Sequence, residues 1–142
     1  MFERLHHIAI AVKDIEAVLG DYADILGLPK TRVVYLESQK VKATLIPVGD
    51  VEIELIEPTD PEGGVAKFIE RRGESLHHIC FQVTDVDQEL KDLEGKGLQL
   101  IDKQSRPGLA GKIGFIHPRS TRGTLVELCT PVTHGSPESH GH

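Results

Sequence analysis

Eight residues, Leu5-His6-His7-Ile8-Ala9-Ile10-Ala11-Val12, return in closely similar form 71 positions later as Leu76-His77-His78-Ile79-Cys80-Phe81-Gln82-Val83. A repeat of this kind restricts the fold to two copies of one half-sized module that share a core. Neither copy contains Gly or Pro, and the alternating side chains of each run predict a β-strand. One face carries Ile8, Ile10 and Val12, or Ile79, Phe81 and Val83, and is apolar enough to lie under a helix. The other carries His7, Ala9 and Ala11, or His78, Cys80 and Gln82, and is small and polar like a cavity wall. A period of two fixes these sets, because a one-residue slip would exchange the faces. His6 and His77 rival their neighbours as functional residues, but strict alternation puts them with the Ile and Val side chains, so His7 and His78 are preferred on phase.

The rest of the chain follows the repeat. Asp14 is a candidate N-cap for a helix whose apolar stripe is Ile15, Val18, Leu19, Tyr22, Ile25 and Leu26, closed by Gly27 and Pro29. Strands are predicted over 32–36, 41–48 and 51–56, the last two joined by Gly49-Asp50. An acidic Pro/Gly loop leads to a short helix at 65–72. In the second module Asp85 opens a helix bearing Val86, Leu90 and Leu93, and strands are predicted over 98–101, 113–116 and 124–129. Residues 105–112 are predicted as a loop and 117–123 as a hairpin connection. The reading is therefore an α+β fold of two tandem βαβββ modules, about 4–58 and 75–131, within a single domain over 1–131. Residues 132–142 are nearly free of apolar side chains and are predicted to be a disordered tail.

The module ends also match, Ile53-Glu54-Leu55 against Val126-Glu127-Leu128, 73 positions apart. A carboxylate between two residues that favour burial is costly without a partner. A lone strand histidine is more often a packing residue than a ligand, and Glu54 alone, with Glu52 and Glu57, would read as an acidic solvent edge. Recurrence of both residue types at equivalent positions favours another account, a His2Glu2 metal site formed by His7, Glu54, His78 and Glu127. That donor set suits a borderline divalent ion such as Co, Ni, Mn, Fe or Zn with positions open to substrate. Such an ion could polarise a carbonyl and stabilise the enolate formed when the adjacent carbon loses a proton.

The formal net charge of −6 argues against sequence-independent nucleic-acid binding, which needs a basic face. Cys80 and Cys129 have no framework spacing and read as buried thiols in a reducing compartment. No signal peptide or 18-residue apolar run is present, so a soluble, cytoplasmic protein is expected, without membrane contact.

Three stretches carry a family resemblance: Leu5 to Val12; Gly64-Val65-Ala66-Lys67-Phe68-Ile69 leading to Gly73-Glu74-Ser75-Leu76-His77-His78-Ile79; and Phe115-Ile116-His117-Pro118-Arg119-Ser120 with Gly123-Thr124-Leu125-Val126-Glu127-Leu128. On these the chain resembles the vicinal oxygen chelate superfamily and, within it, the methylmalonyl-CoA epimerase family, from about Phe2 to Pro131. The resemblance implies a cupped mixed sheet around one divalent metal ion per chain, with helices outside and cobalt first among the metals. It makes His7, His78 and Glu127 ligands, with Glu54 in a fourth place that some relatives fill with Gln. It also implies an acyl-CoA substrate, epimerisation through an enolate, and a homodimer. Glu127 is a candidate acid/base as well as a ligand. Ala43 stands where some members carry a Glu, so the second acid/base is not identified. Lys112, His117 and Arg119 are candidates for binding substrate, with Arg106 and Arg122 nearby; a solvated surface charge, or for His117 a turn cap, is the alternative. A lactoylglutathione lyase or related glyoxalase, and a non-catalytic small-molecule binding protein, are the rival functions.

Overall fold

A computed structural model describes residues 1–131, so the expected tail at 132–142 lies outside the described residues. The fold divides into two compact units, one of 7–77 and the other of 1–6 with the chain from 78 onward. The divisions thus fall inside the two His-His pairs.

In the unit of 7–77, the strand order is β2 (Val34–Leu36), β3 (Val41–Val48), β4 (Val51–Pro58), then β1 (Phe2–Ala11), whose residues from His7 belong here. β1 runs parallel to β4, and β2–β3 and β3–β4 are antiparallel. Helix α1 (Ile15–Leu26) starts at Asp14, whose carboxylate accepts from the Ala17 N–H at 3.2 Å, and ends at Gly27 in the left-handed region, φ 71°. Glu57 at the end of β4 accepts from the Ile15 N–H at 2.9 Å, fixing the helix start to the sheet. The helix buries Ile15 and Leu19 against Val12, Ile46 and Leu55. Ile25 and Leu26 keep the helical period but stand exposed on the last turn. Helix α2 (Gly64–Arg72) follows β4.

In the other unit the order is β1, through its first residues, then β5 (Ser75–Val83), β8 (Val126–Thr130), β7 (Gly111–Ile116) and β6 (Arg106–Gly108). β5 is parallel to β8, and β6–β7 and β7–β8 are antiparallel, the same connectivity as in the first unit. Helix α3 (Val86–Gly95) repeats α1: Asp85 accepts from the Gln88 N–H at 3.2 Å, and Val86 and Leu90 pack on Val83, Ile116, Val126 and Leu128. The α+β class, the mixed strand pairing and the two βαβββ modules read from the repeat are those of the structure.

One strand is displaced from its expected position. Residues 98–101 form no strand; Leu100 makes a single bridge to Ile116, and the second strand of the module is Arg106–Gly108, inside the expected loop. A continuous ladder from Leu100–Ile116 would put residue 103 opposite Ile113, yet Arg106 stands there, so three extra residues are looped out. The Asp102 side chain explains the excursion. Its carboxylate accepts from the Phe115 N–H at 2.9 Å, taking the place of one ladder bond, and from the Arg106 side-chain Nε at 3.1 Å. Among the described residues no helix is long and apolar enough to cross a membrane.

Candidate metal centre

The site residues are set by strand register. On the parallel pair β1–β4, Ala9 stands beside Glu54 and His7 beside Glu52, so His7, Ala9, Glu52 and Glu54 share one face. On β5–β8, Cys80 stands beside Glu127. These pairings are equivalent, since Ala9 to Cys80 is 71 positions and Glu54 to Glu127 is 73. Each module therefore places its Glu next to the residue two positions after its His. The helices cover the opposite faces: Val12, Leu55, Val83 and Leu128 all lie in the helix-side cores.

The consequence is one His–Glu pair in each unit. His7 Nε2 lies 3.4 Å from Glu54 Oε1, and His78 Nε2 lies 3.0 Å from Glu127 Oε1. All four side chains are buried, His7 being 1 % exposed, His78 and Glu127 5 % and Glu54 7 %. Phe115, beside Glu127 across β7–β8, sets its ring edge-on to the His78 imidazole at 5.3 Å. The donor set fits a cation. With metal–ligand bonds of about 2.1 Å, neighbouring ligand atoms lie about 3.0 Å apart at a right angle and about 3.4 Å apart at a tetrahedral one. The separations within the two pairs are of that size, and these four residues have the types and burial that can hold a metal ion.

Other residues singled out from the sequence fall in varied places. His117 is the N-cap of a 3-10 turn at Pro118–Thr121, its Nδ1 accepting from the Arg119 N–H at 3.0 Å, and Arg119 is exposed on that turn. Lys112 is exposed on β7, out of phase with Ile113 and Phe115. Its face is the one that Gly114 presents to Val86 and Leu90 of α3, the reverse of the Glu127 face. Arg106 is held by Asp102 and lies over the Phe115 ring at 5.5 Å, while Arg122 ends the 3-10 turn with φ 59°. Ala43 is buried on the Glu54 face of β3, two residues from Leu45, which stands opposite Glu54.

His77 lies against α2, its ring edge-on to Phe68 at 4.7 Å. His6 departs from the expected phase. It is 2 % exposed, as buried as His7, and its neighbours are Cys80 and Cys129 rather than the helix-side Ile and Val residues. The acidic-edge reading fails for Glu52, which is also buried; its period-two spacing from Glu54 was the available signal. Burial pushes the Cys80 thiol pKa far up, reinforced by Cys129 and by the negative charge of Glu127, which favours the protonated thiol when no cation is bound.

Residues 6–117 match the model of the glyoxalase/bleomycin resistance protein/dioxygenase superfamily. A Bacillus subtilis protein, YqjC, itself uncharacterised, is 43 % identical over 129 residues, covering 90 % of this chain and 92 % of its own. An ethylmalonyl-CoA/methylmalonyl-CoA epimerase of Cereibacter sphaeroides is 32 % identical over 90 % of this chain and 98 % of its own length. Among solved structures, a variant of the methylmalonyl-CoA epimerase of Streptomyces coelicolor, in complex with 2-nitronate-propionyl-CoA, is 31 % identical with a TM-score of 0.90, covering 96 % of this chain and all of that one.

Proposed function

The chain belongs to the glyoxalase/bleomycin resistance protein/dioxygenase superfamily, and from that premise we propose that it is a metal-dependent epimerase interconverting the (2R) and (2S) epimers of methylmalonyl-CoA. The observation that carries this reading is the pair of buried His–Glu couples at equivalent register positions. In this proposal His7, Glu54, His78 and Glu127 serve one divalent ion, cobalt in first place, and residues 1–131 act as one domain. Similarity to epimerases over nine-tenths of the chain supports the substrate class. The proposed enzyme is a homodimer, as the family resemblance implies, and works in the cytoplasm.

When bound, the cation supplies Lewis-acid stabilisation of the negative charge that develops on oxygen as the C2 proton leaves. The protein supplies the rest. The proton at C2 lies between a thioester and a carboxylate and is therefore acidic for a carbon acid. Glu127 Oε is the proposed proton carrier on one face of the planar carbon, and inversion requires return of a proton to the other face. Arg119, with the turn capped by His117, offers positive charge to the CoA phosphates. Lys112, on the helix side of β7, would not meet a ligand lying against Glu127.

The test uses one epimer of methylmalonyl-CoA in heavy water with metal-stripped protein, before and after cobalt is added. The proposal expects deuterium at C2 and the opposite epimer only with metal, above the non-enzymatic background. No exchange from folded, metal-loaded protein, together with turnover of a glutathione hemithioacetal, would replace it with the glyoxalase reading. Binding of small molecules without turnover of either would leave a binding protein.

A further inference from the structure

We propose that His6, Cys80 and Cys129 form a second metal site, selective for a thiophilic divalent cation of the zinc class. The three residues come from β1, β5 and β8, and all lie in the same compact unit. Their exposures are 2 %, 0 % and 0 %, and one ligand atom of each lies within 4.8 Å of those of the other two. Around tetrahedral zinc, with Zn–S near 2.3 Å and Zn–N near 2.0 Å, sulfur and nitrogen atoms stand about 3.5–3.8 Å apart. Closing the group on a cation therefore takes movements of about 1 Å, within the reach of side-chain adjustment.

Chemistry separates this group from the His/Glu pairs. Two sulfurs and one imidazole are a soft set, which selects zinc or cadmium and discriminates against manganese, whereas carboxylate-rich sets accept the harder ions. Ile113, Phe115, Ala110 and Leu125 pack around the two cysteines, and Glu127 stands beside Cys80 across β5–β8. Two thiolates and a divalent cation sum to zero charge, so the cation offsets the cost of burying the two sulfur charges. Each thiol gives its proton to the buffer as the cation enters, leaving the fourth coordination position open or filled by water. The alternative is a cluster of thiols packed as small hydrophobes, which are common in cores.

The site is tested on the full, reduced chain, refolded with cadmium-113 so that burial does not bar entry. Cadmium NMR reads the donor atoms directly. The proposal expects a resonance shifted strongly downfield, as sulfur ligation requires, in addition to any from nitrogen and oxygen donors. Cys129→Ala should remove that resonance alone, His6→Gln should shift or broaden it, and manganese should not compete for it. A wild-type spectrum without a sulfur-ligated resonance, from folded protein whose thiols are shown to be reduced, would overturn the site. That result needs no variant, so misfolding of Cys129→Ala does not protect the proposal. Failure of the proposed His2Glu2 centre would remove the nitrogen/oxygen resonance instead, which keeps the two outcomes apart.

Discussion

Glu127 is asked to do two things, to help hold a cation and to carry a proton, and Glu54 only the first. Their substitution by Gln, which keeps an oxygen donor but cannot act as a base, should separate the roles. Glu127→Gln is expected to lower C2 deuterium exchange by about 10²–10⁴-fold, the usual contribution of a positioned acid/base, while the protein still takes up metal. Glu54→Gln should cost much less. Equal losses in the two variants would reduce Glu127 to a ligand. At this scale the sequence shows His7, Glu54, His78 and Glu127 because the duplication repeats them and period two gives their phase. It hides where His6 packs. His6 lies among Cys80 and Cys129 of other strands, which no local pattern encodes, whereas Glu52 is legible as the same phase as Glu54.

The elements hold these residues through close packing of α3 on the sheet. A Cβ at Gly114 would come within 2.8 Å of Leu90 Cδ1 and 3.4 Å of Val86 Cγ1, so the glycine is what lets α3 lie down on β7. Gly114→Ala should cost about 1–3 kcal/mol in denaturant unfolding, the range for overpacking a core. Loss of either N-cap, Asp14→Ala or Asp85→Ala, should cost about 1 kcal/mol each, and equality would reflect the common module. Asp87 accepts from both the N–H and the hydroxyl of Ser105, at 2.7 and 2.8 Å, tying the chain before β6 to α3. These bonds hold its carboxyl below the ordinary 3.8. Their contribution is complete above pH 3.8 and disappears as pH falls through the lower folded-state value, so Asp87→Asn should flatten the acid limb of the stability profile. A limb of unchanged slope would contradict this. The displaced strand belongs to this scale too. Local propensity points to Leu98–Ile101, but the module offset of 72 maps Val34–Leu36 onto Arg106–Gly108 and would have located β6. What local pattern lacks is the Asp102 carboxylate competing for the backbone of β7.

For the whole molecule, duplication is the feature that explains most: two βαβββ modules, two capped helices and two buried His–Glu couples. Neither couple by itself makes a complete ligand set for the ions considered. The proposed function therefore stands or falls on both couples serving one ion. Manganese titration of the metal-stripped chain, followed by the electron paramagnetic resonance of the free ion, addresses this alone, because the thiol-bearing group does not retain manganese. One tightly held ion per chain is expected, and its loss in His7→Gln and in His78→Gln alike, although the two residues lie in different modules. Two independent ions per chain, or a variant in one module that leaves binding intact, would refute a shared centre.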